Sequence, residues 1–464
     1  MSAADAIPLC VDLDGTLIKT DLLWESMVQL LARKPWLIFV VPLWWLRGRA
    51  RLKSELARRV ELNPSQLPYR EDVLEFLRHE HGRGRRMVLA TASNYLLAEC
   101  VAAHLGLFDE VIASDHQTNL RSQQKASRLV QRFGRGGFDY AGNSSADRPV
   151  WREARRAIVV GRARCDLPAA RVFPTEARIG FHLLRLLRPH QWAKNLIIFV
   201  PLLTAHQLNK PSLVWMAALA VVAFSLCASG LYVLNDLLDI ESDRCHPGKR
   251  QRPFASGALP IPLGFVLVPV LLGAAAAISE TLPLRFLLVL GTYLGLTTAY
   301  SFWLKRIALL DVFLLAGLYT IRLVAGHEAT GVPYSVWLLV FSMFIFLSLA
   351  LVKRFQELRT YNTHAPGRGY VLEDLELIAS LGSSSGYLSV LVLALYVNSE
   401  QVRTLYQHPM RLLLICPLFL LWISRIWLQA HRGQLHDDPV LFALRDPISY
   451  MTIALTLLIL WLAL

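Results

Sequence analysis

The sequence predicts two parts of different fold class: an N-terminal α/β domain with a parallel, Rossmann-like sheet and a helical cap, and a C-terminal all-α bundle of nine membrane-spanning helices. In the first part, Ile7–Val11 and Arg86–Ala90 are short apolar runs, each followed by a polar turn and a helical segment, as in a parallel sheet. Apolar residues make up 54% of the 464 residues, and most of them follow about residue 180. We therefore place the N-terminal domain at residues 1–160, a basic linker at 161–180 and the membrane domain at 181–464.

The membrane topology follows from apolar segments and from the charges between them. Nine apolar segments are centred near residues 200, 224, 270, 293, 316, 344, 391, 418 and 455. Lys and Arg are concentrated in alternate loops, those near residues 244–252, 305–306, 353–368 and 431–445. By the positive-inside rule, these loops and the N-terminal domain lie on the cytoplasmic side of the inner (plasma) membrane.

Composition also excludes several classes of protein. The net charge of +13 comes from basic residues beside apolar spans, which favours contact with anionic lipid and phosphorylated substrates over nucleic acid. The 6 cysteines are scattered without a CxxC pair, so neither disulfides nor a zinc site is expected. Nothing in the sequence predicts an oligomeric state.

A cluster of acidic residues at the end of the second apolar segment carries the strongest chemical signal. Asp236, Asp239 and Asp243 stand at i, i+3 and i+7, so a helix would place them on one face. Carboxylates so close repel one another unless they bind a cation, and Mg²⁺ bridges such oxygens to phosphates. We predict that these three are catalytic and metal-binding, and that a diphosphate is bound by Asn235, Lys249, Arg250 and Arg252.

Further polar residues are predicted on the same cytoplasmic face. Asp311 and Arg322 lie eleven residues apart in the fifth span and share a helical face, either as functional residues or as a structural ion pair. The other predicted substrate-binding residues of the membrane domain are Tyr300, Lys305, Arg322, Lys353 and Glu357.

Two of these motifs resemble the UbiA superfamily of intramembrane prenyltransferases. Arg188-Pro-His-Gln-Trp-Ala-Lys-Asn195 is similar to its opening motif, and Asn235 to Asp243 is similar to its first aspartate-rich motif. The resemblance implies nine helices around a lipid-facing cavity. It also implies Mg²⁺ as cofactor, a diphosphate-bearing donor and a polyprenyl lipid as substrates, with transfer of an isoprenoid to an aromatic acceptor in the quinone-pathway members.

The chain departs from those members at their second aspartate-rich motif, where it has Lys353-Arg354 and Glu357. Its other motifs are more similar to the decaprenyl-phosphate phosphoribosyltransferase branch; they are Asp243–Pro253, Tyr300–Lys305, Ile321–Gly326 and Ala443–Asp446. In that branch, phosphoribosyl pyrophosphate is the donor and the lipid phosphate is the nucleophile. Aromatic prenylation remains the alternative, with an inactive, regulatory N-terminal domain.

The N-terminal domain resembles the haloacid dehalogenase superfamily, whose members are mostly phosphatases. The motif Asp12-Leu-Asp-Gly-Thr-Leu17 is similar to the family's first motif, which implies Asp12 as nucleophile and Asp14 as acid and base. The resemblance further implies that Thr91 binds phosphate and that Lys125 neutralises the nucleophile. The implied Mg²⁺ ligands are Asp12, Asp14, Asn143 and Asp147, and Asn143 stands where the family has an aspartate, so the metal is expected to bind more weakly.

Between the two predicted strands, Pro35–Leu46 is rich in tryptophan and too short to span a bilayer. It is either a cap segment that touches the membrane or a buried cap helix. For the whole chain, three classes of function remain: a transferase with a working phosphatase, a transferase with an inert soluble domain, and a transporter.

Overall fold

The structure, a computed structural model, describes residues 7–165, 169–174, 178–361, 369–435, 442–443 and 446–464. It divides into two compact units, one of Met1–Leu187 with Tyr232–Val268 and the other of Arg188–Leu231 with Pro269–Leu464. Predictions made for Pro168 of the linker, for parts of the loops 353–368 and 431–445, and for two positions of the Ala443–Asp446 motif lie outside the described residues.

The first unit contains a six-stranded sheet in which every strand pair is parallel, as predicted. Its spatial order is β3-β2-β1-β4-β5-β6. Side chains alternate between two buried faces, because Leu9 and Val11 pack in one apolar cluster and Cys10 packs in another. The strands are β1 (Leu9–Val11), β2 (Met87–Asn94), β3 (Glu110–Ser114), β4 (Asp139–Gly142), β5 (Arg156–Val160) and β6 (Ala169–Phe173).

Helices connect these strands and form a cap after β1. The first cap helix begins where Asp21 accepts a hydrogen bond from the backbone N–H of Leu23 at 2.8 Å, which satisfies a free N–H group of the first turn. Residues Ala169–Phe173, within the segment predicted as a linker, belong to the sheet as β6. The helices are α1 (Leu22–Arg33), α2 (Val41–Leu46), α3 (Arg49–Ala57), α4 (Glu71–Gly82), α5 (Tyr95–Leu105), α6 (Gln123–Phe133), α7 (Arg148–Glu153) and α8 (Ile179–Leu187).

The remainder of the described chain is helical. In the second unit, neighbouring helices approach closely at small residues, since a Cβ atom added to Gly382 would lie 2.1 Å from Trp427. The helices are α9 (Val200–Thr204), α10 (Pro211–Leu238), α11 (Ile240–Cys245), α12 (Ile261–Ser279), α13 (Leu284–Phe302), α14 (Leu310–Thr330), α15 (Val336–Tyr361), α16 (Leu375–Val397), α17 (Glu400–Leu405), α18 (Ile415–His431) and α19 (Pro447–Ala463).

The predicted count of nine spans is not confirmed. Within the described residues, six helical stretches are long and apolar enough to cross a membrane; they are Pro211–Leu238, Ile261–Ser279, Leu310–Thr330, Val336–Thr360, Leu372–Val397 and Pro409–His431. The first predicted segment is divided between the 3₁₀ helix Pro189–Phe199 and the five residues of α9. The last, α19, has 17 residues, and α13 carries polar Thr, Tyr and Ser side chains along its 19 residues.

Candidate active sites

The predicted nucleophile Asp12 lies at the carboxyl end of β1. Its backbone N–H donates to the carbonyl of Ala141 on β4 at 2.9 Å, and its Oδ1 accepts a hydrogen bond from Lys125 Nζ at 2.8 Å. Both side chains are buried. Burial raises the pKa of Asp12 to about 7, although the Lys125 ammonium opposes the shift. A carboxylate held by an ammonium at the end of a strand is the arrangement that an aspartyl nucleophile requires.

Asp14 lies on the same loop and contacts the carboxyl-terminal half of β2. Its Oδ2 accepts hydrogen bonds from Ser93 Oγ at 2.5 Å and from Thr91 Oγ1 at 3.4 Å, and its Oδ1 accepts one from the N–H of Leu22 at 2.8 Å. Burial raises the pKa of Asp14 to about 6. A carboxyl group with a pKa near neutrality suits the predicted role in proton transfer.

Asp147 anchors the loop that follows β4. Its Oδ1 accepts a hydrogen bond from Tyr140 at 2.9 Å, and its Oδ2 accepts the backbone N–H groups of Asn143 and Ser144 at 3.1 and 3.0 Å. Its Oδ1 also lies 3.6 Å from Lys125 Nζ. Both carboxylate oxygens of Asp147 thus contact the loop or the lysine. The role of Asp147 as a metal ligand stays a prediction.

Asn143 lies against the loop of Asp12 and Asp14. A Cβ atom added to Gly15, which has a φ of +73°, would lie 2.1 Å from Asn143 Nδ2. Among the residues that the structure describes, no three His, Cys, Asp or Glu side chains are grouped to hold a metal ion. The donor set nevertheless fits Mg²⁺, because that ion accepts amide and carbonyl oxygens beside a carboxylate such as that of Asp12.

Lys53 of the cap is a site residue that sequence reasoning missed. Its Nζ donates to the carbonyl of Ala92, between Thr91 and Ser93, and to Asn119 Oδ1 at 3.1 Å. Burial lowers its pKa. In the sequence it is one of several basic residues that follow Pro35–Leu46, and no local pattern distinguishes it.

The aspartate-rich motif keeps its helical repeat across a short break. Helix α10 ends at Leu238 and α11 begins at Ile240. The backbone N–H of Asp239 still donates to the carbonyl of Asn235 at 2.9 Å, and that of Asp243 donates to the carbonyl of Asp239 at 2.8 Å. These i to i−4 hydrogen bonds preserve the spacing that directs the acidic side chains to one face.

The two buried acids of this motif share one arginine. Arg252 Nη1 lies 3.1 Å from Asp236 Oδ1 and 2.7 Å from Asp243 Oδ2. Of the three basic residues predicted to bind phosphate, Arg252 thus contacts the acids through ion pairs. Lys249 and Arg250 are exposed on a 3₁₀ turn. A guanidinium between two buried carboxylates indicates that the pair is suited to hold positive charge, as a Mg²⁺–diphosphate site requires.

The same unit joins this motif to the first cap helix. Arg244 of α11 forms hydrogen bonds with both carboxylate oxygens of Glu25 of α1, at 2.6 and 3.1 Å, and the two side chains are 9% and 7% exposed. Gln29 of α1 also donates to Glu241 of α11 at 3.2 Å. This pairing could not be predicted from the sequence, because the partners lie more than two hundred residues apart.

In the second unit, the buried Arg354 contacts several residues that the sequence indicated as site candidates. Arg354 donates to Asp311, to Glu357 and to the hydroxyl of Tyr300, the last at 2.9 Å. Tyr370 donates to the other oxygen of Asp311. Sequence reasoning included Arg354 only as part of a motif and missed Tyr370, whose partner is 59 residues away.

The structural ion pair considered between Asp311 and Arg322 is not formed. Eleven residues of helix correspond to about 16 Å along the axis, which is too far for contact. Arg322 instead donates to Asn195 Oδ1 at 2.9 Å and to the hydroxyl of Tyr293 at 3.3 Å, and its guanidinium lies 5.4 Å from the ring centre of Tyr319. Asn195 ends the predicted opening motif, so the structure connects that motif to the fifth predicted span.

Two further predicted residues are placed separately by the structure. Lys305 lies half-buried on the 3₁₀ turn Leu304–Arg306, and Lys353 lies half-buried near the end of α15. Their roles in substrate binding stay predictions.

The parallel sheet with its Asp12 loop and the apolar helices with buried charges define an integral membrane protein that carries a hydrolase-like domain. The chain belongs to the UbiA prenyltransferase family, whose model matches residues 196–451. Residues 9–152 match the model for haloacid dehalogenase-like hydrolases. Both resemblances inferred from the motifs are thereby confirmed.

Similar proteins cover different shares of the chain. An uncharacterized protein, y4nM of Sinorhizobium fredii, is 38% identical over 97% of this chain and 89% of its own length. Nodulation protein NoeC of Azorhizobium caulinodans is 37% identical over 57% of this chain and 88% of its own length. Decaprenyl-phosphate phosphoribosyltransferase of Mycolicibacterium smegmatis is 35% identical over 38% of this chain and 57% of its own length.

Among solved structures, a UbiA homolog from Archaeoglobus fulgidus bound to DMAPP and Mg²⁺ is similar over 60% of this chain and 98% of its own. The identity is 17% and the TM-score is 0.47.

Proposed function

We propose that the membrane domain transfers a phosphoribosyl group from phosphoribosyl pyrophosphate to a polyprenyl phosphate, and that the N-terminal domain then removes the 5-phosphate of the product. Family membership supports a transferase over a transporter. The matches to decaprenyl-phosphate phosphoribosyltransferases support the donor and acceptor over the part of the chain that they cover. We further propose the cytoplasmic orientation that the basic loops predict, and a transferase domain at residues 181–464 that follows an N-terminal domain extended past residue 160 to include β6.

The observation that carries this proposal is the position of Arg354. It forms ion pairs with both Asp311 and Glu357, so its guanidinium occupies the space between these acids and they do not form an open carboxylate pair for a second metal ion. This favours phosphoribosyl transfer over aromatic prenylation, which in the quinone-pathway members uses a second aspartate-rich motif.

The buried Arg322 of the same unit supports the proposal that the substrate is an anion. Among the described residues, every hydrogen-bond partner of Arg322 is neutral, namely Asn195, Tyr293 and the carbonyl of Leu318. A buried charge without a counter-charge is costly, and a phosphate group would provide that counter-charge. The lipid phosphate and the donor phosphates are both anions of this type.

In the transfer step, an oxygen of the lipid phosphate forms a bond to the anomeric carbon of ribose while the bond to diphosphate breaks. Asp236, Asp239 and Asp243 would hold Mg²⁺, which supplies Lewis-acid stabilisation of the leaving diphosphate. Arg252 moves its positive charge from the two acids to the diphosphate oxygens, and Lys249 and Arg250 attract the donor to the site.

In the hydrolytic step, Asp12 attacks phosphorus and forms an aspartyl-phosphate as the bond from phosphorus to the ribose oxygen breaks, and Asp14 gives a proton to that oxygen. Water then attacks the phosphorus and Asp14 accepts its proton, while the bond from phosphorus to Asp12 breaks and inorganic phosphate leaves. Lys125 holds Asp12 in position, and Asp12 with Asn143 would hold Mg²⁺ to screen the phosphate charge.

The products of the purified protein test both steps. With Mg²⁺, phosphoribosyl pyrophosphate and polyprenyl phosphate, we expect wild-type protein to form lipid-phosphoryl ribose and the Asp12→Asn variant to stop at the 5-phosphorylated lipid. Mass spectrometry of the lipids distinguishes the two by one phosphate. A second reaction contains polyprenyl diphosphate and an aromatic acid, and a product only there would establish the alternative. If wild type and variant both stop at the phosphorylated lipid, the N-terminal domain has no phosphatase role in this reaction.

A further inference from the structure

The cap carries an unusual exposed apolar surface, which we call the apolar cap segment (Pro35–Leu46). It consists of the 3₁₀ helix Pro35–Phe39 followed by α2. Phe39 and Leu46 are each 81% exposed, and four more large apolar side chains are exposed; these are Trp36, Ile38, Leu43 and Trp45. Six such side chains within twelve residues form the kind of patch that marks an interaction surface.

This segment is attached to the protein by its opposite face. Trp44 is buried in a cluster with Met27, Leu30 and Leu52 of the cap, and the Arg59 guanidinium lies 4.8 Å from the centre of its ring. The exposed side chains are therefore presented outward on a segment that the buried tryptophan holds in place.

The cluster that holds the segment also contacts two membrane-spanning helices at their ends. Leu238, the last residue of α10, and Phe265 of α12 pack against it, and the rings of Trp24 and Phe265 lie 5.5 Å apart. Phe265 is four residues from the start of α12, or about 6 Å along the helix axis. The apolar cap segment is consequently attached at the depth where the two spans leave the hydrocarbon layer.

The charge around the segment fits an anionic membrane surface. Five exposed basic residues flank it and no acidic residue lies between Arg33 and Ser54; the basic residues are Arg33, Lys34, Arg47, Arg49 and Arg51. Tryptophan with flanking Lys and Arg is typical of segments that lie in the interface of a bilayer. Twelve residues of helix extend about 18 Å, whereas a span requires about 30 Å, so such a segment would lie in the plane of the membrane.

We propose that the apolar cap segment is an in-plane membrane anchor, whose exposed face enters the anionic leaflet in which α10 ends. It holds the mouth of the Asp12 site, which Lys53 of the same cap lines, against the surface that carries lipid-linked phosphate esters. The occupant of this apolar face is lipid, and neither a second protein nor a second copy of the chain is required.

Spin labels on the full chain in vesicles of phosphatidylglycerol and phosphatidylcholine test the anchor directly. One label is attached at Leu43→Cys and a matched one at Val172→Cys on the edge strand β6, since both side chains are 55% exposed. The exposed Cys100 and Cys245 are replaced by serine in both variants. We expect the label at position 43 to be broadened by oxygen, which enters lipid, and that at position 172 by a water-soluble nickel complex.

Equal accessibility of the two labels to the nickel complex would overturn the proposal. So would a label at position 43 that is shielded from both agents, because the face would then be covered by protein. A triple variant, Trp36→Ser with Phe39→Ser and Leu46→Ser, adds a functional test that rests on the proposed function. Hydrolysis of the lipid-linked phosphate should fall about tenfold with loss of surface tethering, while hydrolysis of soluble p-nitrophenyl phosphate stays unchanged. If the wild type hydrolyses neither compound, the phosphatase proposal fails, and the spin labels still decide the anchor.

Discussion

The Asp12 site and the Asp236–Asp243 pair solve the same electrostatic problem with different kinds of cation. In each, two buried carboxylates share one basic side chain, Lys125 in the first and Arg252 in the second. The Lys125 side chain is 4% exposed and is also hydrogen-bonded to the hydroxyl of Tyr140. The Arg252 side chain is 24% exposed and follows an exposed 3₁₀ turn.

This difference in exposure indicates different roles for Lys125 and Arg252. A buried lysine with several fixed partners keeps its position throughout a reaction, as the counter-charge of a nucleophile must. A partly exposed arginine beside a surface turn can exchange its carboxylates for the oxygens of an arriving diphosphate at little conformational cost. We therefore regard Lys125 as a fixed counter-ion and Arg252 as a mobile one.

The largest expected effect concerns the acids that Arg252 bridges. Asp236→Asn should lower the rate of transfer about 10²- to 10³-fold, because metal stabilisation of a leaving group is worth several kcal/mol. The measurement is turnover of donor with saturating Mg²⁺ and with chelator. Glu241→Gln on the adjacent helix α11 is the matched control and should retain its rate. Transfer by the Asp236 variant at the rate of wild type, or indifference of the wild type to chelator, would disprove the metal site.

A smaller effect is expected for Arg252, the mobile counter-ion. Arg252→Ala should weaken donor binding about 30-fold, which corresponds to roughly 2 kcal/mol for the loss of one buried phosphate contact. Lys249→Ala and Arg250→Ala, which remove exposed charges from the same turn, should have less effect. Calorimetric titration of donor into each variant measures the difference. If Arg252→Ala binds donor as tightly as wild type does, the arginine is a fixed counter-ion like Lys125.

The smallest expected effect concerns the Asp12 site, whose counter-ion Lys125 is fixed. Asn143→Asp adds a negative charge beside the loop of Asp12 and should lower the Mg²⁺ concentration for half-maximal hydrolysis about tenfold. Asn143→Ala, which removes the amide oxygen, should change it in the opposite direction. A phosphatase assay over a range of Mg²⁺ concentrations gives both values, and the same Mg²⁺ requirement in all three proteins would exclude residue 143 as a ligand.

Features that depend on local sequence were predictable from the chain alone. The parallel sheet, the loop after β1 and the helical repeat of the aspartate-rich motif follow from apolar runs and residue spacing. The structure brings Asp12, Lys125 and Asp147 together, because these residues follow or lie beside the carboxyl ends of neighbouring strands. This placement agrees with the resemblance that predicted it.

Features that depend on pairing between distant residues were not predictable. Asp311 and Arg322 share a helix, and the sequence left open whether they are functional residues or a structural ion pair, whereas in the structure the guanidinium of Arg354 from another helix contacts Asp311. The count of nine spans is not confirmed for a related reason, since apolar composition does not show that residues 189–204 divide into two short helices. Prolines at positions 189 and 201 remove backbone donors at the start of each.

The buried pair of Glu25 and Arg244 bears on how this protein can be dissected in the laboratory. A fragment that stops after β6 contains the whole sheet and the Asp12 loop, yet it lacks Arg244 and Phe265. The face of α1 with Glu25 and Trp24 would then be uncovered. A soluble fragment that aggregates or loses its cap would therefore reveal a missing surface, and would say little about the chemistry of Asp12. Co-expression with a second fragment that begins near α10 would supply that surface in trans.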